Sequence, residues 1–221
     1  MMEKYNYRKD PHQDIDHVFR DLLPAHGMVE RPAQMELSHQ MLDTMLNGSI
    51  ALCDAGTGIG KTYAYLVAGV VFRRYRSRAG LPNQPLLIST SSIALQGAII
   101  HDYLPFLSKV MMADGMLDSP LRAVLRKGKS HYVCDARLMK RLQTANLDRK
   151  NPLAKAALLS MRDHLDLDMA PHLSGYDRER ICVPPTCDCG KTECRYLCYL
   201  DVCASDRYAI QVCNHNLLLA D

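Results

Sequence analysis

The chain has 221 residues, of which 48% are hydrophobic and 23% charged, and its formal net charge is +3 at pH 7. The apolar content excludes a disordered or collagen-like protein, and the length permits one sizeable domain or one domain carrying an insertion. The longest apolar-leaning run, Thr62 to Phe72, is shorter than the roughly 18 residues that a membrane span needs, and the polar N-terminus lacks a signal-peptide core. We therefore expect a soluble, cytoplasmic protein with no membrane partner.

The first predicted segment, residues 1–30, is a polar arm followed by a short amphipathic helix from Ile15 to Leu23. Gly27 ends this helix. A second helix is predicted to begin at Pro32 and to end at Asn47-Gly48, because proline suits the first turn of a helix and Asn-Gly stops one. The methionines of the second helix are most simply part of the core.

Strands and helices then alternate. Ser49–Cys53 is a short apolar run bounded by glycines, which favours a buried parallel strand. An apolar helix follows Lys61, a second strand is predicted at 85–90, and Ser91 or Ser92 is placed to cap a third helix. This order predicts an α/β fold with a parallel sheet.

The alternation stops near residue 106. Helical patterns at Ala136–Leu142 and Leu153–Leu165 lead into a cysteine-rich stretch without a strand signal, and strand character returns only at Ala209–Cys213. The stretch is therefore predicted to be an insertion. The predicted organisation is an N-terminal arm and helix at 1–30, an α/β domain at 31–106, a mostly helical insertion at 107–206 and a return to the α/β domain at 207–221.

A glycine-rich loop follows the first predicted strand. It fits the phosphate-binding P-loop pattern, with alanine in place of the first glycine, at Ala55, Gly56, Thr57, Gly58, Ile59, Gly60, Lys61 and Thr62. Glycines leave room for backbone N–H groups to point at a phosphate, and the next helix presents its positive dipole end to the same anion. Lys61 and Thr62 are the predicted catalytic residues: the lysine contacts the β- and γ-phosphates of ATP, and the threonine hydroxyl binds Mg²⁺.

The chain contains nine cysteines, an odd number, and six of them lie within the 22 residues from Cys182 to Cys203. Such clustering in a cytoplasmic protein indicates a metal site rather than a disulfide scaffold. The spacing alone leaves a 4Fe-4S cluster and a zinc ion equally open. The cluster would take Cys134, Cys189, Cys194 and Cys198, whereas zinc would take four local thiolates such as Cys187, Cys189, Cys194 and Cys198. Cys53 and Cys213, on predicted strands, are interpreted as buried core residues.

Five motifs together resemble the DinG-like, XPD-like branch of superfamily 2 DNA helicases, in the order that this family has. These are Arg31-x-x-Gln34, Ala55–Thr62, Ile88-Ser89-Thr90 with Leu95-Gln96, Lys127–Cys134 and Asn214–Leu218. The resemblance implies part of a RecA-like first motor domain, a P-loop NTPase fold, interrupted by an iron-sulfur domain. It further implies an ATP-dependent enzyme that moves 5′ to 3′ on single-stranded DNA and unwinds forked duplexes.

The resemblance also implies roles for single residues. Gln34 matches the glutamine that reads adenine, although an exposed helix amide is the alternative. Thr90 and Gln96 match a motif that contacts the DNA backbone, where an ordinary helix cap is the alternative.

Cys134 matches the first cluster ligand, and Cys189 and Cys194 match a later pair. The chain offers Cys198 as the last ligand, two residues earlier than the family pattern, with Cys203 also available. A ligand set with Cys182, Cys187 and Cys194 stays open as well. The resemblance favours iron-sulfur over zinc.

A run of cations precedes Cys134, and Tyr132 lies beside this run. The run consists of Arg122, Arg126, Lys127 and Lys129. Such a run is either a solvated charged face or a surface that follows the phosphates of single-stranded DNA beside the cluster.

No Asp-Glu pair occurs in the chain, although the family uses a D-E-A-H box to bind Mg²⁺ and to orient the attacking water. The remainder of a helicase, with that box and a second RecA-like domain, is therefore expected to be required for activity. We expect the chain alone to bind nucleotide weakly and not to act as a motor. The alternative is a stand-alone nucleotide-binding module with a zinc or iron-sulfur site that binds nucleic acid without unwinding it.

Overall fold

The computed structural model describes residues 10–144, 152–187, 189–190 and 194–220. It divides into two compact units, the first comprising Met1–Leu125 with Ser205–Leu218 and the second Arg126–Ala204 with Leu219–Asp221. The helices are α1 (Pro11–His17), α2 (Leu23–Ala25), α3 (Pro32–Leu46), α4 (Lys61–Arg78), α5 (Ile93–Ala98), α6 (Leu104–Ala113), α7 (Asp135–Thr144), α8 (Pro152–Ser160), α9 (Gly175–Ile181), α10 (Arg195–Ala204) and α11 (His215–Ala220). The π-helical segments Val18–Leu22 and Ile99–Tyr103 join α1 to α2 and α5 to α6.

The first unit contains a three-stranded parallel sheet. Its strands are β1 (Leu86–Ser89), β2 (Ala123–Leu125) and β3 (Ile210–Cys213), in the spatial order β1-β3-β2. Ile210 pairs with Leu86 on one side and with Ala123 on the other. The α/β class, the parallel sheet and the strands predicted near residues 85–90 and 209–213 are confirmed, and the arrangement is consistent with part of a RecA-like domain.

Helix α4 packs on this sheet and on α3. Its buried side chains include Leu66, Val67 and Val70, which belong to the main apolar core. A Cβ at Gly69 would lie 3.3 Å from Cγ of Leu86, so the missing side chain lets the helix approach β1 closely. The helix predicted after the glycine-rich loop is therefore confirmed.

The prediction of a strand at Ser49–Cys53 is wrong. The segment carries no strand pairing, and Ile50 and Leu52 are 94% and 99% exposed. A strand is stable only when a neighbour accepts and donates its backbone hydrogen bonds, and no strand among the described residues pairs with this segment. Cys53 is accordingly exposed rather than part of the core, whereas Cys213 is buried on β3 as predicted.

Strand β2 was not predicted, because three residues are too few to show an alternating pattern. It lies within 107–206, and the second unit begins directly after it at Arg126. Two isolated antiparallel bridges join parts of that unit, between Tyr132 and Asp166 and between Val133 and Cys182. No described helix is both long and apolar enough to cross a membrane.

Candidate functional site

The glycine-rich loop has the backbone that its sequence predicts. Gly58 and Gly60 have φ angles of +84° and +87°, a region that side chains disfavour. Gly60 is the N-cap of α4, so the first free N–H groups of that helix face the loop. The loop therefore has the geometry of an anion site at the start of an 18-residue helix.

The side chain of Lys61 folds back over this loop. Its ammonium donates hydrogen bonds to the carbonyl oxygens of Ala55, at 2.8 Å, and Gly56, at 2.9 Å. Arg31 adds a second cation by donating from Nη1 to the carbonyl oxygen of Gly58 at 2.6 Å. A phosphate in the loop would compete with these carbonyl groups for both cations, and a charged oxygen is the stronger acceptor.

Gln34 on α3 contacts the loop directly. Its Nε2 donates to the carbonyl oxygen of Gly60 at 2.6 Å, and the residue is only 3% exposed. The alternative of an exposed helix amide is therefore wrong. One turn further on, the Ser38 hydroxyl donates to the carbonyl oxygen of Ala64 at 3.0 Å, so α3 supports both the loop and the first turn of α4. The contact of Gln34 with adenine stays a prediction.

The turn after β1 is closed by the residues that match the DNA-contact motif. Gln96 is 7% exposed and donates from Nε2 to the carbonyl oxygen of Thr90 at 2.9 Å. The Thr90 hydroxyl accepts from the N–H of Ser92, whose own hydroxyl caps α5 by accepting from the N–H of Leu95. These bonds fit the helix-cap alternative, and contact with DNA stays a prediction.

Several thiols of the second unit lie near one another. A hydrogen bond with Cys187, together with the charges of Cys134 and Cys194, raises the pKa of Cys189 to about 11. Cys134 also shares a small apolar cluster with Tyr132 and Tyr196, against which Cys194 packs. Thus Cys134, Cys189 and Cys194, three of the four predicted ligands, lie in one neighbourhood.

The fourth predicted ligand, Cys198, is exposed on α10 one turn after Cys194. Residues four apart lie on the same face of a helix, so this position is compatible with a shared site. Cys187 is equally placed, since it contacts Cys189. Cys203 is buried near Tyr199, and burial raises the pKa of its thiol.

The thiols are the right type of ligand for an iron-sulfur cluster, but in the part of the chain that the structure describes their positions do not form a metal site. Thiolate sulfur is the ligand that such a cluster takes. However, no three or more His, Cys, Asp or Glu side chains within the described residues have the geometry of a metal site.

The predicted basic run is not an exposed DNA surface throughout. Tyr132 is 3% exposed and packs between Tyr196 and Tyr199. Lys127 donates to Asp166 at 2.6 Å and to Asp168 at 2.8 Å; burial opposes its charge, but these bonds raise its pKa. Because the ring is covered and this cation is neutralised, neither is available to a nucleic acid.

A different aromatic group in the same unit was not predicted from the sequence. Tyr176 on α9 is 57% exposed, and the guanidinium groups of Arg180 and Arg141 lie 4.2 Å and 5.3 Å from its ring centroid. Arg180 is four residues after Tyr176 and so lies on the same helix face, a signal present in the sequence, whereas Arg141 comes from α7. Arg141 is held in place by donating from Nε to Asp177 at 2.6 Å.

Three curated bacterial proteins are similar in sequence to part of this chain. The 3′-5′ exonuclease DinG of Bacillus subtilis is 31% identical over 139 residues, which is 63% of this chain and 13% of that protein. The ATP-dependent DNA helicase YoaA of Haemophilus influenzae is 30% identical over 129 residues, 58% of this chain and 18% of the relative. The ATP-dependent helicase DinG of Mycobacterium tuberculosis is 29% identical over 128 residues, again 58% and 18%. Over this stretch the chain is similar to proteins named DinG and YoaA.

No family model matches the chain. The DinG-like stretch spans less than a fifth of the length of these three relatives. The identity to these three proteins confirms the resemblance that the motifs indicate.

We predict that Gly60→Ala destabilises the first unit by about 2 kcal/mol, because a side chain at a φ of +87° is strained and its Cβ would lie 2.8 Å from Cδ of Gln34. Gly56→Ala is the matched control, since its Cβ would meet nothing within 4 Å; we expect a change below about 0.5 kcal/mol. Urea unfolding followed by far-UV circular dichroism measures both. Equal losses for the two variants would contradict the described loop.

Proposed function

We propose that this chain is the nucleotide-binding part of an ATP-dependent DNA helicase of the DinG-like type. The observation that carries the proposal is the loop geometry, in which two glycines of positive φ lead into α4 with Lys61 at its first position. The similarity to proteins named helicases supports a motor over a stand-alone nucleotide-binding module. Movement in the 5′-to-3′ direction is the part of the proposal that rests on family resemblance alone.

The phosphate groups of ATP would lie in the loop from Ala55 to Gly60. Lys61 would exchange its two carbonyl partners for phosphate oxygens and offset the charge that develops as the γ-phosphoryl group leaves. Thr62, one residue further into α4, would present its hydroxyl to Mg²⁺. When bound, Mg²⁺ would supply positive charge that offsets the negative charge of the phosphates.

Gln34 would link a bound nucleotide to the first unit by contacting both the adenine and the loop. Its amide already holds the carbonyl group of Gly60, next to the first helical residue Lys61. A purine beside α3 would place this amide between the base and the phosphate loop. The proposal therefore gives Gln34 two contacts, one with the loop and one with adenine.

The second unit would hold a 4Fe-4S cluster through Cys134, Cys189 and Cys194, with Cys198 as the fourth ligand. Three observations support this: the common apolar cluster of Cys134 and Cys194, the electrostatic effect of both thiols on Cys189, and the single helix turn between Cys194 and Cys198. Cys187, whose thiol forms a hydrogen bond with Cys189, is the alternative fourth ligand. Zinc on four of these thiolates is the competing occupant.

Single-stranded DNA would contact the second unit at Tyr176. An exposed tyrosine flanked by two guanidinium groups offers one stacking face for a base and two cations for phosphates. The structure favours this surface over the basic run before Cys134, because there Tyr132 is buried and Lys127 is paired.

We predict that Lys61→Ala weakens the affinity for MgATP about tenfold or more, because one charged hydrogen bond to phosphate contributes about 1.5 to 3 kcal/mol. Titration calorimetry on the chain measures the effect. Lys109→Ala, which removes an exposed cation of α6, is the control and should leave the affinity unchanged. The same affinity in wild type and Lys61→Ala would refute nucleotide binding at this loop.

We predict that protein purified without oxygen contains about four iron and four sulfide ions per chain and absorbs visible light. Cys134→Ser and Cys189→Ser should each lose most of the iron, while Cys53→Ser, which alters an exposed thiol of the first unit, should retain it. Comparison of Cys198→Ser with Cys187→Ser identifies the fourth ligand. Stoichiometric zinc without visible absorption would overturn the cluster.

We predict that Tyr176→Ala lowers the affinity for single-stranded DNA about tenfold, because base stacking on an aromatic ring contributes about 1 to 3 kcal/mol. Tyr176→Phe keeps the ring and should bind as wild type does. Fluorescence anisotropy with a labelled oligonucleotide measures both variants. If both bind equally well, or both lose binding equally, stacking at Tyr176 is wrong.

A further inference from the structure

A cavity of about 530 Å³ lies within the first unit, away from the phosphate loop. Val70 and Arg74 of α4, Met116 after α6 and Ala209 just before β3 are among its lining residues. Arg122, which directly precedes β2, also lines it. The cavity thus lies at the end of the sheet where its parallel strands begin.

Its distance from the nucleotide loop follows from helix geometry. The loop precedes Lys61, the first residue of α4, whereas the cavity is lined by residues from Val70 to Arg78 near the other end. Because an α-helix rises about 1.5 Å per residue, Val70 and Arg78 lie about 14 Å and about 25 Å along the axis from Lys61. A ligand in the cavity would therefore not overlap with ATP in the loop.

The lining is strongly cationic. Five arginines face the cavity against two aspartates, namely Arg73, Arg74, Arg78, Arg122 and Arg207 against Asp118 and Asp206. Asp14, which is 2% exposed, pairs with Arg74 at 3.4 Å and Arg78 at 3.3 Å and so holds these two in place. Arg73 donates to the carbonyl oxygen of Gln84, and burial lowers its pKa although Asp206 opposes this.

Arg122 and Arg207 differ from the other three. Both side chains are exposed, and neither makes a hydrogen bond or ion pair to another side chain in the described ranges. Guanidinium groups bind phosphate through paired N–H donors. These two arginines therefore supply cationic donors that the fold itself does not use.

Asn83 is a side chain of the cavity whose carbonyl oxygen lacks a hydrogen-bond donor within the described residues. It lines the cavity, and its Oδ1 atom is buried without a hydrogen-bond partner among the described residues. A buried acceptor left unsatisfied costs about 1 to 3 kcal/mol, so a side-chain rotation that turns this atom toward a ligand N–H or O–H group would recover up to that much. Val70 and Met116, each 1% exposed, give the cavity an apolar wall.

We propose that this cavity binds a nucleoside phosphate. Arg122 and Arg207 would hold the phosphate, Asn83 would accept a hydrogen bond from the base or sugar, and the apolar wall would cover the base. The volume lies within the range of about 300 to 1,000 Å³ typical of small-molecule sites and exceeds the need of a lone phosphate. The site is separate from the loop that begins α4.

Titration calorimetry at low ionic strength with GMP tests this proposal. GMP carries N–H donors on its base and lacks the β-phosphate that a P-loop grips. We expect saturable binding to the chain and to Lys61→Ala alike. The double variant Arg122→Gln/Arg207→Gln should bind at least about tenfold more weakly, whereas Arg20→Gln/Lys109→Gln, which removes two cations outside the cavity, should bind as wild type does.

A second comparison addresses the nucleoside part. Asn83→Leu should weaken GMP binding about fivefold or more but leave the affinity for inorganic phosphate unchanged, because only the nucleoside would contact this side chain. Loss of GMP binding in Lys61→Ala, no detectable GMP binding, or equal binding by the two double variants would each overturn the proposal. Binding of phosphate alone, with GMP no tighter, would also overturn it.

Discussion

The contact between Gln34 and Gly60 is the constraint on which the first unit depends. Gly60 must adopt a positive φ to start α4, and its carbonyl group is held by the buried amide of Gln34 at 2.6 Å. A side chain at Gly60 would collide with that amide, so α3 approaches the loop closely only because the residue is glycine. The same contact positions Lys61, and the fold and the candidate nucleotide site therefore share one local geometry.

Much of this geometry was predictable from sequence because the phosphate loop is a local motif. Glycine spacing predicts positive φ angles, and the lysine and threonine that follow predict a helix start, as found at Lys61. The burial of Gln34 was not predictable, because it depends on how α3 packs against α4. The strand predicted at Ser49–Cys53 failed for a related reason: an apolar run favours burial, but a strand also needs a partner, which composition does not reveal.

In the second unit, the spacing of the cysteines predicts a metal site but not its complete set of ligands. Counting cysteines indicated a metal site, and three predicted ligands lie together although Cys134 is 55 residues from Cys189. Spacing could not decide between Cys198, which lies one helix turn after Cys194, and Cys187, which forms a hydrogen bond with Cys189. Charge counting likewise selected the run around Lys127, but that cation is paired with Asp166 and Asp168. An exposed aromatic group between arginines was found only where helices from distant parts of the chain meet.

Hydrogen-deuterium exchange with and without MgATP tests the central claim that nucleotide binds where Gln34 supports the glycine loop. We expect slower exchange in peptides that cover Gly56–Thr62 and the start of α3, with no change in α7 of the second unit, because bound phosphate would satisfy the free N–H groups of the loop. Gln34→Ala should abolish this protection. Binding of MgATP that leaves exchange in the loop unaltered, or that protects α7 instead, would contradict the account.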